Sequence, residues 1–155
     1  MSDVNQAISE IVRQACIDLF DYYEIALSPG AEAGTLSRCG VIGFGGHDLR
    51  GSLMLGCSDE LLRASSAEDW LGELTNQLLG RVKNRLIQHD IALYASLPVV
   101  LRGEQIEPLD VQSAGHLFSS QGGTVSVWFD ARPRPGLTIA PMRASIECSG
   151  QVFLF

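Results

Sequence analysis

The order of apolar and polar positions divides the chain into a few elements. From residue 4 to residue 27, Val4, Ile8, Ile11, Val12, Ala15, Leu19 and Tyr22/Tyr23 recur at steps of three and four. That spacing lines one side of a helix, and Ser28-Pro29-Gly30 is a composition that ends one. The period then shortens. Strands are predicted near 33–44, carrying Leu36, Val41, Ile42 and Phe44, and near 50–57, where Ser52-Leu53-Met54-Leu55 alternates in part. Gly45-Gly46-His47-Asp48 between them predicts a hairpin turn. This glycine run lacks the spacing of a phosphate-cradling loop, and no helix opens after it.

Ser58 predicts the N-cap of a short helix through Leu61 and Leu62. Ser65-x-x-Glu68 fits a capping box, so Ser65 or Ser66 opens a second, longer helix that runs to about Gln88. A long strand is predicted over 91–101, with Pro98 inside it marking an edge, a bulge or a bend. Further strands are predicted at 108–118, 123–130 and 145–155, with a turn at Ser120-Gln-Gly-Gly123 and an exposed loop at Arg132-Pro-Arg-Pro-Gly136. Helix, hairpin, helix and then several strands with short connections predict an α+β fold with a largely antiparallel sheet.

Composition narrows the function. The chain has 155 residues, 46% of them apolar and 19% charged. The length suits one domain over 1–155, and the apolar share suits some surface buried against a second copy. The net charge is −7, and the 11 Lys and Arg residues are dispersed. No basic patch stands ready to neutralise phosphates, which argues against nucleic-acid binding. Met1-Ser-Asp-Val-Asn-Gln does not read as a signal peptide. No apolar run approaches the roughly 20 residues of a membrane helix, so a cytoplasmic protein is expected. Cys16, Cys39, Cys57 and Cys148 form no CxxC pair, and His47, His89 and His116 are scattered. Reduced core thiols are expected rather than a metal site.

The second helix carries the candidate chemistry. At about 100° per residue, Leu71, Leu74, Leu78, Leu79, Val82 and Leu86 fall in one stripe. Asp69, Glu73, Asn76, Gly80 and Lys83 gather opposite it, with Gly72 at the margin of that polar arc. Glu73 and Asn76 are three apart, so their side chains emerge together. Glycine inside a helix costs about 1 kcal/mol relative to alanine. Gly72 and Gly80 therefore need a reason, either the approach of another molecule or contact with another element of the same domain.

The spacing Asp69-x-x-x-Glu73-x-x-Asn76, with Pro98 22 positions after Asn76, resembles the signature of the CheC/CheX/FliY phosphatases of bacterial chemotaxis. Asn76-x-x-x-Gly80-x-x-Lys83-x-x-Leu86 and Ser96-x-Pro98-x-x-x-x-Gly103 are similar to the CheX branch. The strong match covers about 69–103, and 104–155 carry no such motif. Glu10-Ile-Val-Arg13 has Arg where a second site of this family would need Asn, so one site is expected, as in CheX.

The resemblance implies a protein that removes the phosphoryl group from a phosphorylated CheY-like response regulator. It implies Glu73 and Asn76 as catalytic residues, Asp69, Gly72, Gly80 and Lys83 as partner-docking residues, and Pro98 as structural. It implies no cofactor of the chain's own, Mg²⁺ in the partner regulator, and a homodimer joined through β structure. An amide such as that of Asn76 both donates and accepts, so it can orient a water without titrating, much as the glutamine of GTPases does. A carboxylate such as that of Glu73 can pair with a regulator's Lys. Two other readings stay open. One is a dimeric module that docks a receiver domain or signalling assembly without hydrolysis. The other is a structural or small-ligand domain in which His116 and Cys57 line a pocket.

Overall fold

The structure, a computed structural model, describes residues 3–30, 36–62, 67–106 and 114–139. Helix α1 spans Asp3–Tyr22 and buries Ile8, Ile11, Val12, Ala15, Cys16, Leu19 and Phe20. It stops at Tyr22 rather than near residue 27. Glu24 takes a left-handed backbone, φ 62°. The Ile25 N–H then donates to the Phe20 carbonyl and the Glu24 N–H to the Asp21 carbonyl, both at 2.9 Å. That pair of bonds is a Schellman closure, which uses up the last carbonyls of the helix.

Among the described residues, seven strands follow: β1 (Ser28–Pro29), β2 (Leu36–Gly45), β3 (Leu49–Cys57), β4 (Tyr94–Ala95), β5 (Val99–Ile106), β6 (Ala114–Ser120) and β7 (Gly123–Pro133). Helix α2 spans Ala67–Leu86, between β3 and β4. The strands form one sheet in the order β1-β6-β7-β3-β2-β4, with β5 also on the outer edge of β2. Every pairing is antiparallel. The fold is α+β, as the sequence predicts.

Both helices pack on one face of the sheet. Ile42 and Phe44 of β2, Leu53 and Leu55 of β3, and Val125, Val127 and Phe129 of β7 join the helix stripes in one core. Strand side chains alternate between faces. The other face carries the cross-strand row Val41, Met54 and Trp128, all half-exposed.

Several expected elements change. The predicted short helix at 58–62 is a turn, with Leu61 N–H on the Ser58 carbonyl and Leu62 N–H on that of Asp59. The Ser58 hydroxyl accepts from the Thr124 N–H at 2.9 Å instead of capping a helix. The strand predicted over 91–101 is two strands, β4 and β5, interrupted at 96–98. β5 runs on to Ile106, and β7 runs past 130 to Pro133. The short strand β1 was not anticipated. The capping serines Ser65 and Ser66, Cys148 and the predicted strand at 145–155 lie outside the described residues, as does most of the predicted strand at 108–118. Among the described residues, no helix is long and apolar enough to cross a membrane.

Candidate functional site

α2 lies on the sheet through Leu71, Leu74, Thr75, Leu78, Leu79, Val82 and Leu86, all buried. Thr75 sits among the leucines because its hydroxyl donates to the Leu71 carbonyl at 2.7 Å. A polar group can be buried at little cost when its bond is made within the helix. Beneath it lies Gly40 of β2. A Cβ on Gly40 would stand 1.9 Å from Thr75 Oγ1 and 2.9 Å from Thr75 Cβ. Gly40 thus sets how closely α2 approaches the sheet, and so the height of the helix's outer face.

That outer face holds the predicted residues together. Asp69, Glu73 and Asn76 are exposed, and Gly80 and Lys83 are half-exposed beside them. Asn76 is exposed, and among the described residues its carboxamide has no hydrogen-bond partner. Glu73 accepts one bond, from Gln77 Nε2 to its Oε1 at 3.0 Å. Three apart on a helix, Glu73 and Asn76 have Cβ atoms about 5–6 Å from each other.

The two glycines differ. Among the described residues, a Cβ on Gly72 would meet Val100 Cγ2 of β5 at 3.5 Å, an ordinary contact, while a Cβ on Gly80 would meet nothing within 4 Å. No contact among the described residues requires glycine at either position.

Walls stand on both sides. Toward β5, Glu68 pairs with Arg102 at 2.6 Å. Toward α1, Tyr23 donates to Gln77 Oε1 at 2.7 Å and meets Trp70 edge-to-face, 4.9 Å between ring centroids. Further along the same side, Arg85 pairs with Asp18. An open cleft lined by Tyr23, Ile25, Leu61, Trp70 and Ser119 lies beyond this wall, and neither Glu73 nor Asn76 enters it. Pro98 lies in the break between β4 and β5. There Ser96 ties the chain to β2 by its N–H to the Gly43 carbonyl at 2.9 Å and its hydroxyl to the Gly43 N–H at 3.0 Å. A proline has no N–H to lose in such a break.

The other sequence candidates are occupied elsewhere. Glu10 is held by Arg13 at 2.6 Å, and that hydrogen-bonded guanidinium lowers the Glu10 pKa. Cys16, Cys39 and Cys57 are free, buried thiols. Burial pushes Cys16 up to about 12 and raises Cys39 and Cys57 as well. His116 Nε2 lies 2.9 Å from Ser9 Oγ and 3.1 Å from the Ser9 carbonyl, while Cys57 lies in the core. Among the described residues, no group of His, Cys, Asp and Glu could hold a metal ion.

Solved structures share this fold. Chemotaxis protein CheX from Vibrio vulnificus aligns with a TM-score of 0.73 at 19% identity, over 84% of this chain and 100% of its own. A CheC-like superfamily protein from Shewanella sp. PV-4 aligns with a TM-score of 0.70 at 20% identity, over 85% of this chain and 99% of its own. The chain has the CheX/CheC-like fold. CheX from Borrelia burgdorferi, solved in complex with CheY, BeF₃ and Mg²⁺, aligns with a TM-score of 0.64 at 17% identity, over 79% of this chain and 96% of its own. No protein-family profile matches the chain, and no curated protein matches it in sequence.

Proposed function

We propose that this chain is a CheX-like phosphatase acting on the aspartyl-phosphate of a CheY-like receiver domain. The observation that carries the reading is the exposed pair Glu73 and Asn76, one turn apart on α2, with the Asn76 amide unengaged among the described residues. The CheX–CheY complex of Borrelia burgdorferi supports a receiver as the partner.

The reaction is a hydrolysis. Water attacks phosphorus, the bond from phosphorus to the aspartyl oxygen breaks, and the leaving group departs as a carboxylate. The water's proton goes to the departing inorganic phosphate or to solvent. The regulator's own Mg²⁺ and Lys carry most of the charge on the transferred group. What a helper must add is position. Asn76 would accept from and donate to the attacking water, holding it in line. Glu73 would pair with the regulator's Lys and fix the docked helix. Gly72 and Gly80 would let the regulator's surface approach, and Asp69 and Lys83 would meet its rim. A homodimer joined through the sheet fits the exposed apolar side chains Leu97, Val99 and Leu101 at and beside β5.

Receiver domains phosphorylated with acetyl phosphate, incubated with the chain and followed by loss of label, test the reading. Accelerated decay for at least one receiver is expected. Binding without faster decay would favour a docking module instead, and neither binding nor decay across receivers would end the assignment.

A further inference from the structure

The wall on the α1 side of the site does more than flank it. Gln77 lies four residues after Glu73 and bridges two groups. Its Nε2 donates to Glu73 Oε1 at 3.0 Å, and its Oε1 accepts from the Tyr23 hydroxyl at 2.7 Å. The direction of this chain is fixed by chemistry. A carboxylate only accepts, so the amide nitrogen must face Glu73, and the amide oxygen is left to take the tyrosine proton. Tyr23 is itself clamped, edge-on to both Trp70 and Tyr22, with centroid separations of 4.9 and 5.0 Å. It sits at the Schellman end of α1, between Phe20 and Glu24. A half-buried aromatic thus anchors an amide, which anchors one oxygen of an otherwise exposed carboxylate. Among the described residues, Glu73 is exposed and its second oxygen has no partner.

We propose that Gln77 and Tyr23 are positioning residues that hold Glu73 with Oε1 engaged and Oε2 presented to the cationic group of a docking receiver. This rests on the phosphatase reading of Glu73 and Asn76. A free glutamate must give up side-chain conformations when it pairs. Here the fold restrains it before docking, so the effect belongs to engagement rather than to the attack of water, which falls to Asn76. The mark of the device is a split between KM and kcat.

Two measurements together test it. In the free protein, the side-chain NH₂ resonances of Gln77 are followed by NMR. They are expected to shift in Glu73→Ala and in Tyr23→Phe, which keeps the ring against Trp70 but removes the hydroxyl. Unmoved resonances would overturn the relay whatever the activity. With a receiver that the wild-type chain dephosphorylates, Gln77→Leu and Tyr23→Phe are expected to raise KM about three- to tenfold with kcat within about twofold. Neither substitution should have a further effect in a Glu73→Ala background. A fall in kcat with KM unchanged, or full effects persisting without Glu73, would overturn the proposal and leave the phosphatase reading standing. If the resonances shift but the wild-type chain dephosphorylates no receiver, the link is real, the phosphatase reading fails, and the positioning role falls with it.

Discussion

Replacing Gly80 with alanine separates what the fold needs from what a partner needs. Among the described residues, nothing lies within 4 Å of a Cβ built at this position, and Gly80 is inside the regular run of α2. Alanine there should gain about 1 kcal/mol of helix propensity, which corresponds to roughly 2–4 °C in Tm for a chain of this length. The partner would see the opposite. If a receiver packs against the bare backbone at Gly80, a methyl group overfills that contact at a cost of about 1–3 kcal/mol. Since 1.4 kcal/mol is tenfold, that is a rise of about 5- to 150-fold in KM. Thermal unfolding by circular dichroism gives the first number, and initial rates of receiver dephosphorylation give the second. A variant that is more stable and equally active would show that no partner approaches Gly80. A destabilised variant would contradict the open helix face.

Gly40→Ala should destabilise by about 1–3 kcal/mol, because its Cβ would overlap Thr75 beneath the site helix. A urea midpoint equal to wild type would refute this close packing. Asp90, φ 61°, closes the 3-10 turn Ile87–His89 that follows α2, donating to the Ile87 carbonyl while Ile91 N–H reaches that of Leu86. Asp90→Gly should therefore stabilise by up to about 1 kcal/mol, as glycine takes that conformation without strain, and a lower Tm would count against the Schellman geometry. His116 has its pKa lowered from 6.5, first by burial. The unfolded chain then binds the proton at higher pH than the folded one, so this contribution is full above the unfolded value of about 6.5 and is lost progressively as pH falls from there through the lower folded value. His116→Gln should flatten the change in urea midpoint between pH 7.5 and 5.5, and an unchanged slope would assign that pH dependence to other groups.

Much of this was legible in the chain because periodicity and burial agree. The leucine stripe of α2 is the buried face, and the five polar-arc residues Asp69, Glu73, Asn76, Gly80 and Lys83 lie together outside it. The hairpin of β2 and β3 follows its alternation and glycine turn. The misses have physical causes. Both Schellman closures use non-glycine residues, Glu24 and Asp90, so the usual glycine signal for a helix end is missing at each. Ser58 resembles an N-cap in sequence, but its hydroxyl bonds across the chain to Thr124, a pairing no local pattern reveals. Thr75 fell outside a stripe defined by apolar side chains, although it is buried. Tyr23 and Gln77 are 54 residues apart, and only the packing of α1 along α2 brings Tyr23 to the local Gln77–Glu73 pair.

In the proposed reaction Asn76 orients the attacking water. Single-turnover decay of a phosphorylated receiver, with the chain in saturating excess, reads that step without the contribution of binding. Asn76→Ala should bind the receiver as the wild type does and slow the accelerated decay by about tenfold or more. Decay at the wild-type rate with Asn76 removed would contradict the account.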